Sequence, residues 1–235
     1  MNFKFFQPKI GLILAGCGVY DGSEIHETTL TLLALNQQQA NVTCLSIDTN
    51  QHHTINHNNQ TELNTHPRNC LIESSRIARE PVTNINTINI DHFDAFIFPG
   101  GFGVAKNLCS YAIDGTNHTV HPDIEQLVLT AHQKNIPMGF LCIAPVIPAK
   151  LIPNVKLTIG SDTQTANDIK TMGAQHINTT ISEIVTDNDH YIVSTPAYML
   201  ATQISELPNG INQLVTQLIQ WATTSNPTKT TTTYT

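Results

Sequence analysis

"ILAGCGVYDGSEIHE", residues 13–27, supports two incompatible readings, and the choice between them decides the fold. Leu14-Ala15-Gly16-Cys17 can close a bacterial lipoprotein signal, with Cys17 lipidated and all preceding residues removed. The same letters can instead end a buried strand that passes through a glycine-rich turn into an acidic helix start. As a signal, the apolar core would span only Ile10 to Gly16, at the lower limit of the roughly 7 to 15 residues such a core needs, with Pro8 and Lys9 directly before it. As a strand, Lys9 to Ala15 belongs to the same fold as the remaining chain, so the residues after Cys17 arbitrate.

Beyond Cys17 the chain alternates strands and helices. Asp21 or Ser23 can cap a helix running to about Gln38, with Leu30, Leu33 and Ala34 spaced for one buried face. A strand over Asn41 to Ile47 is followed by a polar loop or hairpin from Asp48 to Pro67, then a helix over Cys70 to Ala78. "DAFIFPGGFG", Asp94 to Gly103, is a short apolar run ending in Pro99 and glycines, which suits a strand buried on both faces. A helix over Asp123 to Lys134 leads to "IPMGFLCIAPVIPAK" from Ile136, whose apolar strand stops at Cys142. "KLTIGSD" (Lys156 to Asp162), a helix from Thr165 to Met172, two strands turning at Asn188-Asp189 and a last helix from Tyr198 to Ala222 complete the order. This pattern predicts an α/β fold, a mostly parallel sheet with helices on both faces. In it the first strand is core, and the lipoprotein reading fails. Residues 1–222 form a single domain, and residues 223–235, rich in Thr, read as a disordered tail.

Composition narrows the function classes. In 235 residues, 40% are hydrophobic and only 12% charged, with a net charge of -7 and no basic run, so nucleic acid is not an expected partner. No apolar stretch approaches the roughly 20 residues of a membrane span. The cysteines Cys17, Cys44, Cys70, Cys109 and Cys142 are scattered without a C-x-x-C pair, which fits free thiols in a reducing cytoplasm. His52, His53, His57 and His66 lie close together, and His53 and His57 would share a face if helical. Their Asn- and Thr-rich setting in a chain of 11 histidines points to composition, so a metal site is not expected there.

Ligands of open parallel sheets sit at the carboxyl ends of the strands. Three segments converge there: Gly16 to Glu27, Pro99 to Asn107, and the turn at Cys142. A sharp strand-to-helix turn at a thiol resembles a nucleophile elbow. A helix beginning at Cys142 would aim N–H groups, Ile143 among them, at the sulfur and lower its pKa. Gly100 and Gly101, without side chains, can bring further N–H donors to a developing oxyanion. A buried small thiol beside an ordinary glycine turn would show the same letters.

"GCGVYDGSEIHE", "PGGFGVAKNL", "GFLCIAP" and "STPAYML" together resemble, over residues 9–222, the ElbB-like glyoxalases associated with isoprenoid biosynthesis, a branch of the ThiJ/PfpI superfamily with the class I glutamine amidotransferase-like fold. The resemblance implies a flavodoxin-like three-layer sandwich and a homodimer, with a reactive cysteine at the elbow. It also implies a cofactor-free lyase of the glyoxalase III type, turning glyoxal and water into glycolate without glutathione. Carried onto this chain, the cysteine is Cys142. The helix glutamate bonded to it is best matched by Glu27, with Glu24 as the rival; Asp21-x-x-Glu24 also has the spacing of a capping box. Related amidotransferases commonly place His next to the nucleophile, where this chain has Ile143, so glutamine hydrolysis is not expected. His26, His118, His121 and His176 are weaker candidates for assisting the thiol. The different class of function consistent with an acid beside a thiol is a redox-sensing or chaperone-like protein with residual carbonyl or deglycase activity.

Overall fold

The structure, a computed structural model, describes residues 7–63 and 66–224. The elements run β1 (Lys9–Leu14), α1 (Ile25–Gln37), β2 (Asn41–Ser46), β3 (Ile55–Asn56), β4 (Thr61–Glu62), α2 (Cys70–Ala78), β5 (Thr83–Asn84), β6 (Ala95–Phe98), α3 (Tyr111–Asp114), α4 (Pro122–Gln133), β7 (Met138–Leu141), α5 (Val146–Leu151), β8 (Lys156–Leu157), α6 (Thr163–Thr171), β9 (Gln175–His176), β10 (Val185–Asp187), β11 (Ile192–Thr195) and α7 (Leu207–Thr224). Seven strands form one sheet in the order β10-β11-β7-β6-β1-β2-β5. All its neighbours pair in parallel except the β10–β11 hairpin.

β1 lies between β6 and β2, and only its first residue is exposed. Alternation along this strand divides the core. Ile10, Leu12 and Leu14 meet Leu214 and Leu218 of α7 and Leu35 of α1 on one face. Ile13 and Ala15 join Phe98, Phe140, Ile124 and Ile147 on the other. A strand covered on both faces must be apolar at nearly every position, which is why the opening stretch reads as a continuous run. Cleavage at Cys17 would remove a central strand, so the expectation of a buried first strand holds.

Several boundaries differ from expectation for physical reasons. Glu24 serves the cap of α1 as expected, but as the N-cap itself, its carboxylate accepting the N–H of Glu27, and neither Asp21 nor Ser23 takes that position. Leu33 is 50% exposed. The buried stripe of α1 instead includes Glu27, Thr28, Thr31, Ala34 and Leu35, and the Thr28 hydroxyl is satisfied by the Glu24 carbonyl at 2.7 Å. The last helix begins at Leu207, because Pro208 has no N–H for a helix arriving from Tyr198 and fits only a first turn. Short 3-10 turns at Ala197–Met199 and Ile204–Glu206 fill the gap. Of the segment Lys156 to Asp162 only β8 is strand, paired with β9 outside the main sheet. α7 continues through Thr224, two residues into the stretch expected to be tail, while residues 225–235 lie outside the described residues.

Candidate active site

The carboxyl ends of β1, β6 and β7 deliver the three segments that sequence reasoning brings together. The loop after β1 is built on its own main chain: Gly18 N–H donates to the Ser23 carbonyl at 2.9 Å and Gly22 N–H to Gly18 at 2.7 Å. It is locked onto the loop after β6 by Gly103 N–H to Gly22 carbonyl at 2.8 Å and by Glu24 N–H to Gly100 carbonyl at 2.9 Å. The amide of Asn107 donates to the carbonyls of Ala15 and Asp21, both at 3.0 Å. These bonds fix where α1 starts, and with it the direction of Glu27.

Cys142 follows β7 directly and adopts φ 59°, a left-handed conformation that costs energy at any residue with a Cβ. Its N–H is held by the Thr195 carbonyl of β11 at 3.0 Å. No helix begins at the thiol. A turn covers residues 142–145, and α5 starts only at Val146 and runs six residues. Pro145 disfavours helical geometry at Ala144, so a helix cannot run through this point.

Glu27 and Cys142 meet side chain to side chain through a hydrogen bond, with Glu27 fully buried and Cys142 8% exposed. The carboxyl is held from two further sides: Gly100 N–H donates to Oε2 at 2.8 Å and Tyr198 N–H to Oε1 at 3.1 Å. Gly100 is required here by space. A Cβ on it would sit 2.4 Å from Cys142 Cβ, 2.7 Å from Glu27 Oε2 and 2.9 Å from the sulfur. Its N–H is taken by the carboxyl, which corrects the expectation that Gly100 donates to an oxyanion. The N–H groups that face the sulfur belong to Gly101 and Ile143.

Burial and the neighbouring Glu24 charge push the Glu27 carboxyl from 4.5 up to about 7, against the pull of the Tyr198 and Gly100 N–H groups and of Cys142. Burial, followed by the Glu27 charge, raises the Cys142 thiol well above its ordinary value, and the Gly101 and Ile143 N–H groups oppose this only in part. The expectation of a thiol acidified by a helix terminus is therefore corrected. The pair behaves as one unit sharing protons: the repulsion that suppresses the thiolate disappears when Glu27 carries the proton.

The other candidates lie elsewhere. Glu24 is the helix cap and acts on Glu27 through its charge. Cys17 faces Glu73, Arg76 and Arg68 near α2, and burial raises its thiol pKa. His118 is buried against Tyr111 and bonded to the Gly115 carbonyl at 2.9 Å, His121 caps α4, and His176 accepts from Ile159 N–H at 3.3 Å. His26 is exposed, with Nδ1 2.7 Å from the Tyr198 hydroxyl. The stretch holding His53 and His57 is a β3–β4 hairpin, not a helix, and His57 turns toward Asp21 at 3.7 Å. Among the described residues no group of three or more His, Cys, Asp or Glu is placed to hold a metal ion. The Tyr198 N–H was not anticipated from sequence. Its contact spans 171 residues and uses a backbone atom, which no residue pattern reports.

No model of a known protein family matches the chain. The rat protein named ES1 protein homolog, mitochondrial, is 37% identical over 223 residues, covering 91% of this chain and 84% of its own length. The chain belongs to the ES1 family. A human relative, glutamine amidotransferase-like class 1 domain-containing protein 3, mitochondrial, is also 37% identical, over 90% of this ES1-family chain and 82% of the human one. An isoprenoid biosynthesis protein with amidotransferase-like domain from Ehrlichia chaffeensis superposes with a TM-score of 0.84 at 34% identity, covering 91% of this chain and 99% of that one. Glyoxalase III from Candida albicans shares the fold, with a TM-score of 0.59 at 14% identity over 91% of this chain and 97% of that one. The ES1-family chain thus has an amidotransferase-like class 1 fold, which it shares with glyoxalase III. Among its described residues no helix is long and apolar enough to cross a membrane.

Proposed function

We propose that the protein is a glutathione-independent glyoxalase of the ElbB-like type, converting glyoxal and water into glycolate with Cys142 as nucleophile and Glu27 as proton shuttle. The observation that carries this reading is the buried carboxyl of Glu27 bonded to the Cys142 thiol, with its pKa raised to about 7 and two backbone N–H groups facing the sulfur. A group titrating near working pH both takes and returns a proton efficiently.

The chemistry uses each of these parts in turn. Glu27 accepts the thiol proton as sulfur adds to one aldehyde carbon. The resulting oxygen, stabilised by the Gly101 and Ile143 N–H groups, is protonated to a hemithioacetal. The returned Glu27 carboxylate removes the proton from the sulfur-bearing carbon, giving an enediolate whose hydroxyl proton passes to the neighbouring oxygen, and then delivers its own proton to the neighbouring carbon. One carbon is thereby oxidised to a thioester and the other reduced to an alcohol, with no external electron acceptor. Water cleaves the thioester to glycolate and restores the thiol. Gly100 takes no part in the chemistry and holds Glu27 in place. The enclosed thiol suits a two-carbon dicarbonyl, and the five free thiols suit a reducing compartment such as the cytoplasm; the working form proposed, from the resemblance to the ElbB-like glyoxalases, is a homodimer.

The test is turnover. Purified protein given excess glyoxal should release many glycolates per chain, and Cys142→Ser should release none. Consumption of at most one glyoxal per chain would overturn the enzymatic reading and leave the thiol–acid pair as a redox-sensing element.

A further inference from the structure

Tyr198 reaches two consecutive residues of α1 at once. Its N–H donates to Glu27 Oε1 at 3.1 Å, and its hydroxyl shares a hydrogen bond with His26 Nδ1 at 2.7 Å. Neighbouring residues on a helix point about 100° apart. His26 accordingly faces solvent while Glu27 faces the core, and Tyr198 spans the boundary. The turn that carries Tyr198 follows β11 and begins at Ala197, which is 3% exposed and adopts φ 44°. That conformation is unfavourable for a residue with a Cβ and persists only where the surroundings hold it. Within the turn, Met199 N–H donates to Pro196 and Leu200 N–H to Ala197, at 2.9 and 3.0 Å, so its shape is maintained locally. The side-chain and backbone hydrogen bonds that tie it to α1 come from Tyr198, beside the apolar packing of Ala197 and Met199.

We propose that His26 and Tyr198 are positioning residues for the Glu27 carboxyl: their side-chain bond clamps the turn after β11 to the start of α1 and so keeps the Tyr198 N–H on Oε1. The catalytic meaning of this clamp rests on the glyoxalase reading. The clamp itself does not, because it acts on the protonation of Glu27 whether or not glyoxal is a substrate. The titratable groups that face Glu27 are Glu24 at its own helix start, Cys142 at the elbow and Tyr198 on the turn. A carboxylate that loses one of its two backbone donors binds its proton more tightly.

The experiment is a carboxyl-carbon NMR titration of Glu27 in the full chain, without glyoxal, with the resonance assigned by its loss in Glu27→Gln. Tyr198→Phe, which removes one oxygen, and His26→Ala should each raise the Glu27 midpoint by about half to one pH unit, a three- to tenfold change in acid dissociation constant. The double variant should shift no further, since both changes break one bond. His26→Asn, whose amide can reach the hydroxyl, should restore the wild-type midpoint. Single variants that titrate like the wild type would overturn the clamp, as would a His26→Asn protein that titrates like His26→Ala. A wild type that makes no glycolate, with clamp variants that still shift Glu27, would remove the glyoxalase reading and leave the clamp standing.

Discussion

Replacing Glu27 by Gln separates the catalytic role of this carboxyl from its cost to the fold. With its pKa raised from 4.5 to about 7, the folded protein binds a proton between those values that the unfolded chain has already lost. Stability contributed by this group therefore falls as pH rises through that window, and is fully recovered below 4.5. Integrated over the window, the buried charge costs about 3 kcal/mol above pH 7. Gln never carries that charge, but its amide nitrogen must face either the Gly100 or the Tyr198 N–H, and two opposed donors cost about 1–3 kcal/mol. Glu27→Gln should be less stable than the wild type at pH 5 and should gain on it by about 2.5 kcal/mol by pH 8. Urea unfolding of both proteins across this range reads the difference directly. His53, His118, His132 and His176, whose pKa values are lowered mainly by burial, give slopes of opposite sign, but these cancel in the comparison. Glycolate formation should drop by about 10²- to 10⁴-fold. A stability difference that stays constant from pH 5 to 8 would show that the carboxyl ionises normally and refute the poised acid.

Gly100→Ala should fold yet lose most glyoxal turnover and slow the alkylation of Cys142, because its methyl group must displace the sulfur or the carboxyl; alkylation at the wild-type rate would contradict the packing. Glu24→Gln keeps an acceptor for the Glu27 N–H and should cost about 1 kcal/mol or less in thermal unfolding. The same change removes a charge that raises the Glu27 pKa, so the acid limb of the kcat/KM profile should move to lower pH. Cys17→Ala should keep substantial activity in a glyoxal assay, since that thiol faces α2 and not the Glu27 carboxyl. Intact mass of the wild type should show no lipid on Cys17 and no cleavage before it.

Part of this architecture was legible in the residues and part was not. β1, β6 and β7 stand out because strands covered on both faces are apolar throughout, and α2 ends where expected at Ala78. The convergence of Gly16–Glu27, the loop after β6 and Cys142 follows from the parallel order alone. What escaped is carried by atoms common to every residue. Whether Gly100 N–H serves an oxyanion or a carboxylate depends on where Glu27 points, and that direction is set by Glu24 standing at the N-cap itself, where Asp21 or Ser23 was expected. The sign of the Cys142 shift escaped for a related reason. Burial of the thiol and the charge beside it outweigh two backbone donors, and burial is a property of the packed sheet. β3, β4, β8 and β9, at two residues each, are too short to leave a period-2 pattern.

The margins of the main sheet limit how two copies can associate. One edge is β5, a strand of two residues, and the other is β10, three residues long and antiparallel to its neighbour. Such short edges offer too few unpaired N–H and C=O groups to recruit a further strand. A pair built by extending the sheet is therefore disfavoured, and the proposed homodimer would have to pack on surfaces other than these edges, such as the helical layers. There Leu33 of α1 and Ile72 of α2 stand 50% and 65% exposed.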